Sequence, residues 1–430
     1  MPSEPNVRPW ILIFYHDGKK REQEKYWNEI GREIYNDLKF NLKTNGEMRQ
    51  AAAAAVAGAE DDEAKVVALI RYLRKNFRDL FDAGVTDTER AKIVNVLQKR
   101  SRTSVEVFKS GIGTPNELNT LYAALASEAG LEARPARVAS RNDLYFVEQL
   151  NERYFLPNID MAVKIGDQWK VFDVSARLLP PGQLFWFEEG VRALIADPKN
   201  PFFITTPLSL PQASQSVRNG KLALGEDGSL EGEIEEIFTG HSAATRRRNF
   251  EDESEARQQE ELKERVQAVF PQAEVSEIVI ENADDPEKPL TIRYRVQIPG
   301  YAQRTGRRLL FQPFYFQRGS SPLFSAGERM HDIFLEYGWK ETDNVTITLP
   351  EGFTFDNPES PGDVNFGEPG SYRLAMATRG DRELVCMREL IFGKYGMIVF
   401  SKNVYPQLKK VFDEIHSRDS HLISARQVSQ

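Results

Sequence analysis

The sequence predicts an α+β fold in two parts: an α+β domain over about residues 1–204 and a mainly β domain over about 205–430. Three observations lead there. Before residue 130, apolar residues recur at three-to-four spacing; after it the period shortens to two. A Pro-punctuated stretch, Asp197–Pro211, then separates the halves. Beyond it, short alternating segments follow one another at turn signals, the pattern of sandwich-like packed sheets.

In chain order, Pro9–Tyr15 (PWILIFY) reads as a buried strand. Arg21–Leu38 reads as a helix whose stripe is Tyr26, Trp27, Ile30, Ile34, Tyr35 and Leu38. The alanine run Ala51–Ala55 belongs to a helix rather than a spacer. Another helix begins near Asp61, with Val66, Leu69, Ile70, Leu73, Phe77 and Leu80 on one face. The strongest local signal is Thr114-Pro115-Asn116-Glu117: a Thr cap, a Pro at the first helical position and a Glu three residues after the cap. Leu118, Leu121, Tyr122, Leu125 and Ala129 form its stripe, and Gly130 stops it. Ala136–Ser140 is then a strand. Ile159, Met161, Val163 and Ile165 alternate with polar or small residues up to a Gly166-Asp167 turn, and Trp169–Asp173 returns as a hairpin. A short helix from about Trp186 to Ile195 closes the first half.

In the second half the expected strands are Lys221–Leu224, Leu230–Phe238, Val275–Glu281, Leu290–Ile298, Arg308–Phe316, Ile333–Tyr337, Val345–Leu349, Tyr372–Ala377 and Glu383–Phe392. One long helix, Ser242–Val269, interrupts them. A last helix, Tyr405–Ser417, carries Leu408, Val411, Phe412 and Ile415 on one face.

Composition narrows the function classes. A net charge of −8 gives no long-range attraction for nucleic acid or anionic membranes. The run Arg246-Arg247-Arg248, followed at once by acidic residues, reads as a mixed-sign solvated helix face. No apolar run approaches the roughly 20 residues of a membrane span. Met1–Arg8 is polar and carries prolines, so no signal peptide is expected in this chain. The single cysteine, Cys386, excludes an intrachain disulfide and a Cys-based zinc site.

Three segments resemble the transglutaminase-like family, which has the papain-type fold. Gly111–Arg134 (GIGTPNELNTLYAALASEAGLEAR) is similar to the Gly-rich approach, nucleophile-bearing helix and Gly-apolar-x-Ala-Arg ending. Leu156–Asp173 (LPNIDMAVKIGDQWKVFD) is similar to the strand pair carrying the catalytic His and then the Asp that orients it. Arg177–Ile195, with Leu179-Pro180-Pro181-Gly182 and Glu188-Glu189-Gly190-Val191, resembles the following loop in one bacterial subgroup. In that subgroup a leading β-sandwich precedes and a β-rich domain follows, so the resemblance implies that this chain starts just after the leading sandwich. It also implies an exported or periplasmic protein; a cytoplasmic one stays open.

The family mechanism needs a thiol at a helix N-terminus, an imidazole beside it and a carboxylate to orient the imidazole. By correspondence with that pattern the thiol position holds Pro115 and the imidazole position holds Asn158; only Asp173 matches. Proline has no side-chain nucleophile, and an amide is no base near neutral pH. The five histidines, at 16, 241, 331, 416 and 421, lie outside the motif.

The expected function is therefore a non-catalytic, transglutaminase-like scaffold for peptide or protein surfaces, with no cofactor, no metal and no nucleic acid. Its candidate binding residues are Asn158 and Asp160 in the old cleft and the aromatic triplet Phe185, Trp186 and Phe187 beside it. The rival is an amide hydrolase or acyltransferase re-wired around Thr114, Asn158 and Asp173, with Thr114 as fallback nucleophile, although Thr114 also reads as a helix cap. A third reading is a structural domain whose cleft is filled. His416 and His421 with Asp419 read as a solvated tail, and Gly111-x-Gly113 as a turn.

Overall fold

A computed structural model of the chain describes residues 1–11, 13, 22–356 and 358–428. The chain divides into two compact units, Pro2–Leu208 and Ser209–Gln430, the latter with Met1. The fold class is α+β, with the strand-rich part second, as expected.

The first unit contains helices α1 (Gln23–Lys39), α2 (Gly46–Ala55), α3 (Asp62–Asn76), α4 (Asp87–Leu97), α5 (Ser104–Ser110) and α6 (Pro115–Glu128). The strands of its main sheet are β1 (Ala133–Val138), β2 (Asn158–Ile165), β3 (Gln168–Phe172), β4 (Arg192–Ile195) and β5 (Phe202–Thr205). They form one antiparallel sheet in the order β3-β2-β1-β4-β5. Strand alternation sends Met161 and Val163 into a core with α2, α3 and α6, and Ala162 into a core with Trp27, Ile30 and Ile34 of α1. Helix α6 is the central one: Leu121, Tyr122 and Leu125 are fully buried.

The second unit is built on a seven-stranded sheet of β6 (Gln215–Leu224), β7 (Leu230–Phe238), β8 (Glu274–Glu281), β9 (Leu290–Ile298), β12 (Trp339–Thr348), β14 (Gly370–Arg379) and β15 (Glu383–Phe392). Their order is β8-β9-β7-β6-β12-β15-β14. A four-stranded sheet, β10 (Gln303–Thr305), β11 (Arg308–Phe311), β13 (Phe353–Phe355) and β16 (Ile423–Gln427), shares its core with helices α7 (Gly240–Phe250), α8 (Glu255–Val269) and α9 (Tyr405–Asp419). The other face of the large sheet carries charges such as Glu233, Arg293 and Arg295.

Several expected elements differ. Of the Pro9–Tyr15 strand, Trp10, Ile11 and Ile13 are exposed in irregular backbone; Leu12, Phe14 and Tyr15, like His16, lie outside the described residues. The helix expected at Trp186–Ile195 is a single 3-10 turn, Trp186–Glu188, followed by strand β4; Gly190 at φ +68° breaks the helix and β4 pairs with β1 and β5. The Ser242–Val269 helix is two helices. Asp252 takes φ +61°, and Ser254 caps the second by accepting from the Arg257 N–H. Strand β11 stops at Phe311 because Gln312-Pro313 leads into a 3-10 turn, Tyr315–Gln317.

The Arg246–Arg248 run is a solvated face only at Arg248, which is exposed. Arg247 is buried and donates to the carbonyls of Asn282, Asp285 and Lys288, while Arg246 lies 3.6 Å over the Phe238 ring. The expected solvated tail is folded as well. Asp419 is buried at the end of α9, and β16 pairs with both β11 and β13.

Candidate functional site

At the start of α6, Thr114 caps the helix in a complete capping box. Its hydroxyl accepts from the Glu117 N–H at 3.3 Å, and its own N–H donates to the Glu117 carboxylate at 2.9 Å. Arg102, almost fully buried, clamps the same carboxylate through two N–H groups at 2.8 and 2.6 Å. Pro115, half-buried, is the first helical residue. Among the described residues no histidine or lysine hydrogen-bonds Thr114. The start of the helix is thus given over to capping.

One turn on, on the same side of α6, Asn119 points inward. Its Nδ2 donates to Asp173 Oδ1 at 2.9 Å, to the Ile159 carbonyl at 3.0 Å and to Asp160 Oδ1 at 3.5 Å. Its Oδ1 accepts from the Val174 N–H at 2.8 Å. Both oxygens of the Asp173 carboxylate are engaged: Oδ1 also accepts from the Ser175 N–H and Oδ2 from the Ser175 hydroxyl, each at 2.8 Å. Register explains the meeting. Met161 pairs with Phe172, which sets Asp160 on β2 directly across from Asp173 just past β3, on one face.

Glu188 completes the group from the 3-10 turn Trp186–Glu188. Asp160, Asp173 and Glu188 are all buried, and one carboxylate oxygen from each lies within 4.8 Å of the other two. Two unit charges at that separation repel by about 3 kcal/mol at an effective dielectric of about 20. Burial pushes the Asp160 carboxyl well above its usual range, and Glu188 and Asp173 push the same way. Burial and then Asp173 raise Glu188 as well, opposed only by the Phe185 N–H. No cationic side chain offsets either group among the described residues.

The turn bearing Glu188 is held rigidly. Arg141 donates to the Trp186 and Glu189 carbonyls, its guanidinium lies 5.4 Å from the Trp186 ring, and its N–H bonds the Phe187 carbonyl at 2.8 Å. Phe185 stacks on Phe187 with centroids 5.1 Å apart and planes 9° apart. The three rings are half-buried. A groove of about 870 Å³ in this unit is lined by Val67, Arg71, Lys170, Phe172, Pro181 and Gly182 among others, and not by these rings.

Among the residues expected from sequence, Asp160 and Asp173 come together, with Asn158 two residues along on the same strand face as Asp160. Asn158 is half-buried, and its Nδ2 has no hydrogen-bond partner. Thr114 hydrogen-bonds neither Asn158 nor Asp173. Phe185–Phe187 lead into Glu188. Two residues of the cluster were not anticipated, Asn119 and Glu188. The signal for Asn119 was a polar residue beside the apolar stripe of α6, and Glu188 stood inside the Glu188-Glu189-Gly190-Val191 segment.

Comparison with known proteins adds the following. Residues 307–425 match a family described as a domain of unknown function with a solved structure, DUF3858. A solved structure from Parabacteroides distasonis ATCC 8503, described as a "putative protease", is similar at a TM-score of 0.49 and 11% identity, over 92% of this chain and 58% of that one. The chain therefore spans a little over half the length of that protein. No curated protein matches the chain.

Proposed function

We propose that the first unit is a transglutaminase-like module without acyl-transfer chemistry, serving as a scaffold for peptide or protein surfaces. The observation that carries this reading is the state of Asp173. The carboxylate that would orient a catalytic imidazole has both oxygens engaged by Asn119 and Ser175, and by the sequence correspondence Asn158 replaces the imidazole. Pro115 occupies the nucleophile position, and the hydroxyl beside it is spent on the Thr114–Glu117 box. Cys386, the one thiol, is a buried strand residue of the second unit. The half-exposed, rigid turn of Phe185–Phe187 offers a low-entropy contact for a partner.

The test is an assay of glutamine-peptide amine transfer and of amide hydrolysis with the wild-type chain and Thr114→Val. Neither protein should turn over substrate above buffer. The variant should lose about 1 kcal/mol of stability, the worth of a helix cap. Turnover by the wild type that disappears in Thr114→Val would establish the re-wired enzyme instead.

A further inference from the structure

The carboxylates of the first unit meet with no counter-charge, and a cluster of acids alone says little about a ligand. The second observation is the condition of two of their oxygens. Among the described residues Asp160 Oδ2 and Glu188 Oε2 have no hydrogen-bond partner, on side chains only 2% and 3% exposed. Buried polar atoms are nearly always partnered, so orphan acceptors need an explanation. Here two of them belong to side chains that converge on one space, together with Asp173. A ligand that fills such a space accepts lone pairs, and a positive charge on it would offset the crowded carboxylates.

We propose that Asp160, Asp173 and Glu188 form a binding site for a hard divalent cation of the calcium–magnesium class. The donor set is oxygen only, with no imidazole or thiolate, which selects these ions over zinc or copper. Calcium–oxygen distances of about 2.3–2.6 Å span the mutual separations of the three oxygens, all within 4.8 Å. Asp160 and Glu188 each carry one oxygen without a hydrogen-bond partner among the described residues. Asp173 brings one already held in place by Asn119 or Ser175, so its orientation is fixed before the ion arrives. Arg141 does the same for Glu188 by locking its turn. No metal was expected from the sequence, in which Glu188 stands in a separate segment from the Asp160–Asp173 hairpin. The site is independent of whether acyl transfer has been lost.

The experiment uses the full chain after chelator treatment. Calcium and magnesium chloride are titrated calorimetrically, and terbium luminescence is excited through Trp186, two residues from Glu188. Wild type should show one saturable site for calcium or magnesium, and a melting temperature raised by roughly 5 °C or more at hundredfold excess over the dissociation constant. Asp160→Asn and Glu188→Gln should each weaken binding by at least about tenfold, or 1.4 kcal/mol. Each variant is first shown to unfold in one cooperative transition in chelator, so that loss of the fold cannot imitate loss of the site. No saturable binding of either ion by folded wild type, or equal affinity in the two variants, would overturn the proposal.

Discussion

Arg388→Ala is expected to destabilise the second unit by about 3–5 kcal/mol, the effect of removing one partner from a buried ion network. Arg388 sits on β15, buried, in a row of charges on the core face of the large sheet. Arg218 on β6 is opposite Asp343 on β12, which is opposite Arg388. Arg388 Nε donates to Asp419 at 2.8 Å and Nη1 to Glu341 at 2.7 Å. Arg218 holds Asp343 through two bonds, at 2.7 and 2.9 Å, and the Tyr372 hydroxyl donates to Asp419 at 2.7 Å. Burial opposes the Arg388 charge, but Glu341, Asp343 and Asp419 outweigh it and raise its pKa. Alanine there would leave Asp419 buried with the Tyr372 hydroxyl as its one remaining side-chain donor among the described residues. It would also loosen the end of α9 from the sheet. A melting curve of the second unit's transition should shift down by on the order of 10 °C. Arg388→Lys should recover little, because a single ammonium cannot face Asp419 and Glu341 with a planar fork. A loss under about 1 kcal/mol for the alanine variant would show that the network does not stabilise this unit.

The second large effect belongs to Asn119. Asn119→Ala removes donors to Asp173 and the Ile159 carbonyl and an acceptor for the Val174 N–H, all in the interior. Each buried group left unpaired costs about 1–3 kcal/mol, so a total near 3 kcal/mol or more is expected by denaturant titration. Asn119→Asp is expected to be worse at neutral pH, since it adds a fourth carboxylate beside Asp160, Asp173 and Glu188. A matched control is Thr120→Ala on the next residue, whose hydroxyl bonds only the Asn116 carbonyl of its own helix; it should lose under about 1 kcal/mol. Equal losses at 119 and 120 would remove Asn119 from its role as the hub of the cluster.

Much of the fold was legible because local chemistry and tertiary structure agree. The Thr114-Pro115-x-Glu117 signature marks the start of α6 to the residue. Strands β7, β9 and β15 match their alternating runs end to end. The same box chemistry, Thr86 with Glu89 and Thr103 with Glu106, opens α4 and α5, yet these helices are too short and weakly striped to declare themselves by periodicity. Elements defined by partners were the hardest. Arg192–Ile195 has a helix-like neighbourhood, but strand pairing with β1 and β5 decides its state. The site divides the same way. Asp160 and Asp173 stand in a readable hairpin, whereas their approach to Asn119 and Glu188 depends on register and on a turn locked by Arg141, neither of which periodicity can report.

The most direct measurement is chemical labelling of the native chain with a fluorophosphonate, which marks activated hydroxyls and spares lysines, and with a thiol-directed iodoacetamide, followed by peptide mapping. Burial pushes the Cys386 thiol up to about 12, so neither reagent should mark the folded protein, and denaturation should expose Cys386 alone to the thiol reagent. A covalent adduct on Thr114, or on any other residue of the first unit in the folded state, would show a working nucleophile and contradict the scaffold reading.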